Sequence, residues 1–156
     1  MCTITTWRIT PARYQDAAFN GEGAKEYGGR FNRVGTPMVY TSESLALATL
    51  ELLTKINSRS RAAGRVCLPV RFDEAQVLVR DEDDLPEGWD ARPYGPASQK
   101  IGDAWVCSQA SLVLRVPSIV VPREYNYLIN PRHPDASDLE IGKPELLDLD
   151  PRILSD

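Results

Sequence analysis

Histidine, lysine and cysteine are scarce in this 156-residue chain, and each scarcity removes a class of chemistry. His133 is the only histidine, so zinc sites built on several imidazoles are excluded, and no cysteine stands near enough in sequence to complete a metal cluster. Cys2, Cys67 and Cys107 are odd in number and far apart, which opposes a disulfide framework and suits a reducing cytoplasm. No run approaches the ~18 apolar residues of a membrane span. Met1 to Arg8 lacks the basic start and apolar stretch of a secretory leader, so neither secretion nor membrane insertion is expected. Also missing are the Gly-x-Ser-x-Gly elbow of Ser-His-Asp hydrolases, a Walker loop, and the third glycine that would make Gly21-Glu22-Gly23 a dinucleotide fingerprint. A bound nucleotide has to be held in another way.

What is present describes a folded domain. The 42% hydrophobic and 26% charged content, with three tryptophans, fits a globular chain whose length suits a single domain over residues 1–156. The net charge of -4 opposes broad adhesion to nucleic acid or anionic lipid and leaves room for a local basic pocket. Of the 18 basic residues, 14 are arginine; codon bias explains that, and so does a need for planar forks that bind phosphate or carboxylate.

Threonines, isoleucines and Trp7 predict a strand over 3–10. Residues 21–35 hold five of the ten glycines and read as bent or closely approached backbone. A short strand over 38–40 leads to a helix over 43–57, capped by Thr41 or Ser42, with Glu43 in its first turn. Leu45, Ala48, Leu52 and Ile56 form its apolar stripe, widened by Leu50 and Leu53. Strands follow at 65–72, where Pro69 predicts an edge position or a bulge, and at 76–80. A solvated surface connection over 81–96, a helix over 98–108 and strands at 111–116, 118–121 and 125–129 complete the chain. Strands outnumber helices without βαβ alternation, which predicts an α+β domain with a mixed, mostly antiparallel sheet core and flanking helices.

One constellation carries chemistry: Gly28-Gly29-Arg30-Phe31-Asn32, then Tyr40-Thr41-Ser42, then Glu51. The glycines let the chain bring the Arg30 fork close to a diphosphate, Tyr40 offers a flat ring, and Glu51 borders the apolar stripe of its helix. Plainer readings stand beside each of these. Gly28-Gly29 is a turn, Arg30 a surface charge, Tyr40 a strand aromatic, and Glu51 the partner of Lys55 at i,i+4.

These residues resemble a known family. Gly28-Gly29-Arg30-Phe31-Asn32, a strand ending Tyr40-Thr41-Ser42 and a helix carrying Ala48 and Glu51 look like the RES domain, named for arginine, glutamate and serine. Val116-Pro117-Ser118-Ile119-Val120-Val121-Pro122, with Glu124, Asn126, Leu128-Ile129-Asn130-Pro131 and His133-Pro134, is similar to that family's C-terminal half, so the likeness covers nearly the whole chain. The resemblance implies the toxin half of a bacterial RES-Xre type II toxin-antitoxin pair. It also implies a fold related to ADP-ribosyltransferase toxins and an activity that depletes NAD by cleaving the nicotinamide-ribose bond, with NAD as substrate and no cofactor required. Position by position it makes Arg30, Tyr40, Glu51 and Ser118 the catalytic group, with Ser111 the alternative serine. Gly28, Gly29, Arg30, Asn32, Tyr40 and Ser42 become substrate-binding residues, and Arg8 a second candidate for the phosphates. The acceptor stays open between water, inorganic phosphate and a protein side chain. The implied partner is an Xre-family helix-turn-helix antitoxin that covers the NAD cleft and carries the DNA contact, with self-association of the toxin inside that complex. A non-catalytic module whose basic pocket binds an acidic partner is the reading of a different class.

Overall fold

A computed structural model describes residues 2–154, and its strands form one mixed sheet. β1 (Thr3–Pro11) pairs antiparallel with β3 (Arg65–Asp73) over nine residue pairs, and β3 carries the short strands β7 (Glu140–Ile141) and β8 (Glu145–Leu146) on its other side. On the opposite side of β1 come β2 (Val39–Ser42), β6 (Tyr125–Ile129) and β5 (Val113–Pro117), all antiparallel. β4 (Val77–Val79) closes the row and is parallel to β5. This is the α+β, mostly antiparallel architecture that the element pattern predicts. Pro69 sits where its lack of an N–H is harmless: its carbonyl accepts from Gly142 N at 2.8 Å on the outer side of β3, in the gap between β7 and β8.

Two cores explain why the central strands are apolar at successive positions. Leu114, Val116 and Leu128 pack with Phe31, Met38, Trp89 and Trp105 on one face, while Val113 and Ile129 pack with Val39, Val70 and Phe72 on the other. Alternate residues of one strand enter different cores, and fully burying each large side chain contributes about 1.5–3 kcal/mol. The first face is covered by α4 (Pro96–Ser108), which starts two residues before the predicted helix because Pro96 suits a first helical turn. The connection before it is more than a solvated loop. Trp89 within it is buried in the first core.

Other boundaries differ for local reasons. The helix predicted over 43–57 is α2 (Leu45–Leu53), capped by Ser44, whose hydroxyl accepts from Leu47 N at 3.0 Å. Thr41 and Ser42 are unavailable as caps because their hydroxyls bond Tyr127 O and Asn126 Oδ1. Glu43 lies outside the helix and accepts from Tyr125 N at 2.8 Å. The buried face is Leu47, Ala48 and Thr49, and Leu50 is 44% exposed. α1 (Glu22–Tyr27) is an unpredicted helix inside the glycine-rich segment, bounded by Gly21 and Gly28, each at φ +75. α3 (Arg59–Ala62) follows α2 and is capped by Ser58. Residues 118–121 are not a strand: Ser118 Oγ accepts from Val120 N at 3.0 Å and Val121 N at 3.1 Å, bending the chain after β5.

Candidate active site

The sheet opens between β1 and β2. Their ladder consists of the single pair Trp7–Ser42, against nine pairs between β1 and β3. Beyond that pair Arg8 reaches across with its side chain, Nη1 donating to the Tyr40 carbonyl at 3.3 Å. α2 packs on both strands and brings Glu51 to the opening. The result is a cleft of about 140 Å³ bounded by Trp7, Arg8, Tyr40, Ser42, Glu51 and Asn126, with Lys55 at its edge.

Glu51 is fixed by neutral donors. Its Oε1 accepts from Ser118 Oγ and from Asn126 Nδ2, each at 2.8 Å. Asn126 is oriented in turn by Ser42, whose Oγ donates to Asn126 Oδ1 at 2.7 Å; the two residues are register partners across β2 and β6. Ser118 spends its proton on Glu51 and its lone pairs on the amides of Val120 and Val121, which sets the direction of every bond in the group. Hydrogen bonds to a carboxylate are about twice as strong as neutral ones. Among the described residues Oε2 has no protein donor, and Glu51 forms no ion pair. The Glu51–Lys55 contact open to the i,i+4 spacing is a longer-range attraction that partly offsets the lowering of the Lys55 ammonium by burial.

Tyr40 joins the cleft to the Gly28–Asn32 turn. Its Oη accepts from Phe31 N at 3.0 Å and donates to Asn32 Oδ1 at 2.5 Å. Burial pushes this phenol well above its ordinary value, so it is a neutral donor. Asn32 is fully buried, and its Nδ2 donates to Ala24 O at 2.7 Å and Thr36 O at 3.0 Å. Its side chain, expected at the substrate, instead shapes the turn, because every polar atom it owns is consumed by the protein. A Cβ on Gly29 would stand 2.7 Å from Tyr40 Oη, which explains glycine there.

The two candidate arginines occupy different places. Arg30 Nη1 donates to Trp89 O at 3.1 Å and Ala91 O at 2.9 Å, and its guanidinium lies 5.8 Å from the Tyr94 ring centroid. It borders the cleft without lining it; burial lowers its pKa and the charge of Glu51 opposes that lowering. Arg8 is the arginine in the cleft wall, pulled down to about 10 by burial, with its Nε buried and unpartnered among the described residues.

Of the residues singled out in the sequence, the structure gathers Arg8, Tyr40, Ser42 and Glu51 around one cleft with Ser118 behind Glu51. It sets Gly28, Gly29, Arg30 and Asn32 on the adjoining turn. Ser111 is remote: its Oγ accepts from Trp105 Nε1 at 2.9 Å and donates to Val113 O at 2.8 Å. Asn126 and Trp7 also line the cleft, and the sequence marks Asn126 only by its place in the resembling segment. No group of three or more metal-ligating side chains occurs among the described residues, and none of their helices is long and apolar enough to cross a membrane.

The RES domain family model matches residues 5–150. The chain is 41% identical to a Sphingobium sp. (strain YBL2) protein named Prs ADP-ribosylating toxin, over 97% of this chain and 98% of that one. It is 36% identical to a Photorhabdus laumondii protein named Toxin Res, over 83% of each, and 34% identical to a Yersinia enterocolitica protein of the same name, over 94% and 97%. Among solved structures, the M. tuberculosis MbcT-MbcA toxin-antitoxin complex contains a chain that matches with a TM-score of 0.67 at 18% identity, over 97% of this chain and 87% of that one; the likeness is one of fold.

Proposed function

Because this chain belongs to the RES domain family, we propose that it is the toxin of a bacterial toxin-antitoxin pair and that it breaks the nicotinamide-ribose bond of NAD. The observation that carries the reading is a carboxylate, Glu51, gripped on one oxygen by Ser118 and Asn126 inside a cleft that also contains an arginine and a tyrosine ring.

The chemistry needs little else. Nicotinamide bound to ribose is a pyridinium and departs as a neutral ring, so no general acid has to protonate it. One carboxylate then suffices to stabilise the oxocarbenium-like transition state or to orient the attacking nucleophile. In this scheme Glu51 acts on the ribose carbon, and Ser118 and Asn126 hold its carboxylate in one orientation. Tyr40 walls the nicotinamide ribose and fixes the Gly28–Asn32 turn, while Arg8 and the neighbouring Arg30 take the diphosphate. NAD is the substrate, and no cofactor enters the scheme.

Water as acceptor makes the protein an NAD glycohydrolase and inorganic phosphate makes it an NAD phosphorylase. A second reading, transfer of ADP-ribose to a protein side chain, is favoured by the name of the Sphingobium relative. An Xre-family helix-turn-helix antitoxin that covers the cleft is the proposed partner. Residues 1–156 act as one RES domain in the cytoplasm, self-associated within the antitoxin complex.

The test is purified protein mixed with NAD, with and without phosphate and with a cell extract, followed by mass spectrometry. Released nicotinamide with ADP-ribose, with its 1''-phosphate, or with a modified protein separates the three acceptors. Glu51→Gln keeps an acceptor for Ser118 and Asn126 while removing the charge, so it should fold normally and lose about 10²–10³-fold in turnover, with growth arrest lost in parallel. Absence of nicotinamide release by the parent protein overturns the enzymatic reading.

A further inference from the structure

Beyond the Glu51 cleft lies a larger hollow, about 510 Å³, whose lining includes four cations, Arg8, Lys55, Arg61 and Arg65, and no carboxylate. The two cavities share Arg8, Ile9, Leu52 and Lys55 as walls. The cations come from separate elements: Arg8 from β1, Lys55 from beyond the end of α2, Arg61 from α3 and Arg65 from the first residue of β3. Arg65 is anchored, its Nε donating to Arg61 O at 3.1 Å.

Such a grouping of like charges favours an anion beside it. Burial lowers the Lys55 ammonium, the charge of Glu51 opposes that, and Arg8 and Arg65 add to the lowering; Arg65 is lowered first by burial and then by Arg13. Arg8 keeps a buried Nε with no partner among the described residues, although buried donors are nearly always satisfied. Guanidinium groups suit the oxygens of phosphate, and the hollow far exceeds the ~30 Å³ share of one water.

We propose that this hollow is a phosphate subsite adjoining the Glu51 cleft and sharing Arg8 with it, in which Arg8, Lys55, Arg61 and Arg65 take a dianionic phosphate group. Two sources present that chemistry: free inorganic phosphate, and a phosphate ester carried by the dinucleotide, as in NADP. The subsite itself is independent of the enzymatic reading, and only its effect on turnover rests on that reading.

The test is calorimetric titration of the full chain with inorganic phosphate at low salt. Variants Arg61→Glu and Arg65→Gln probe the hollow, and Arg71→Glu, at the other end of β3, serves as the control; thermal melts confirm folding of each. Saturable binding by the parent and the control, weakened about tenfold or more in Arg61→Glu, is the expected result. No saturable binding by the parent, or equal binding by Arg61→Glu and the control, overturns the proposal. Should Arg65→Gln unfold, Arg61→Glu still decides, because its exposed side chain leaves the fold intact. Turnover then identifies the source: loss of phosphate-stimulated nicotinamide release in Arg61→Glu indicates free phosphate, and selective loss of NADP cleavage indicates the ester. Phosphate binding that depends on Arg61 in a protein without NAD turnover supports the subsite and overturns the enzymatic reading alone.

Discussion

Ser118 Oγ donates to Glu51 Oε1 at 2.8 Å, joining residues 67 positions apart with one proton. The same hydroxyl accepts the amides of Val120 and Val121, so a single atom holds both the turn after β5 and the carboxylate of α2. The position of Glu51 is therefore coupled to the shape of that turn.

Ser118→Ala removes all three bonds from a fully buried position. Leaving two half-buried amides without an acceptor costs about 1 kcal/mol, which in a domain of this size lowers the melting temperature by a few degrees. Turnover should fall by about 10–100-fold as Glu51 loses one of two donors. Calorimetric melts and nicotinamide release measure the two effects; a variant that melts earlier yet turns over normally would show that the bond serves the turn alone.

Asn126→Asp is a sharper probe of how Glu51 is held. The new carboxylate stands where a donor stood, within 2.8 Å of Oε1, and two carboxylates sharing a site cannot both ionise easily. The acid limb of the pH-rate profile should move upward, with activity lost at a higher pH as the pair takes up a proton. Asn126→Gln, which keeps a donor, should leave that limb in place.

Tyr40 gives the fold an alkaline liability. Its phenol is raised above the ordinary 10.0 by burial, so below that value it is neutral in both folded and unfolded chains and its contribution is complete. Above it the unfolded chain ionises first, and stability falls as pH rises. Arg8 is shifted in the opposite sense, burial lowering it from the ordinary 12.5 to about 10. Tyr40→Phe should lose about 1–3 kcal/mol near neutral pH by orphaning Phe31 N and Asn32 Oδ1, and should show a shallower alkaline loss than the parent. Denaturant midpoints at about pH 8 and pH 11 provide the comparison.

Gly102 decides how close α4 comes to the Gly28–Asn32 turn. A Cβ there would overlap the Phe31 carbonyl oxygen and stand 2.7 Å from its carbon, which is backbone and cannot swing away. Gly102→Ala would favour an isolated helix by roughly 1 kcal/mol, yet it should destabilise this protein by more than that and displace the turn that Tyr40 holds. A stabilised melt would show that the helix and the turn can separate freely.

The residue types and their order determined much by themselves. The run Gly28 to Asn32, the strand ending at Ser42, and Glu51 at the edge of an apolar helix were legible because turns, strands and helices answer to neighbours a few positions away. Tertiary structure decided the rest. The opening between β1 and β2 depends on a register that stops after Trp7–Ser42, and that opening made Arg8 the wall of the cleft and left Arg30 on the carbonyls of Trp89 and Ala91. The choice of Ser118 over Ser111 as the partner of Glu51, and the recruitment of Asn126, rest on bonds spanning 67 and 75 positions. Local pattern fixes which side chains a segment offers, whereas the pairing of distant strands, settled by burial of two cores at once, fixes which of them meet.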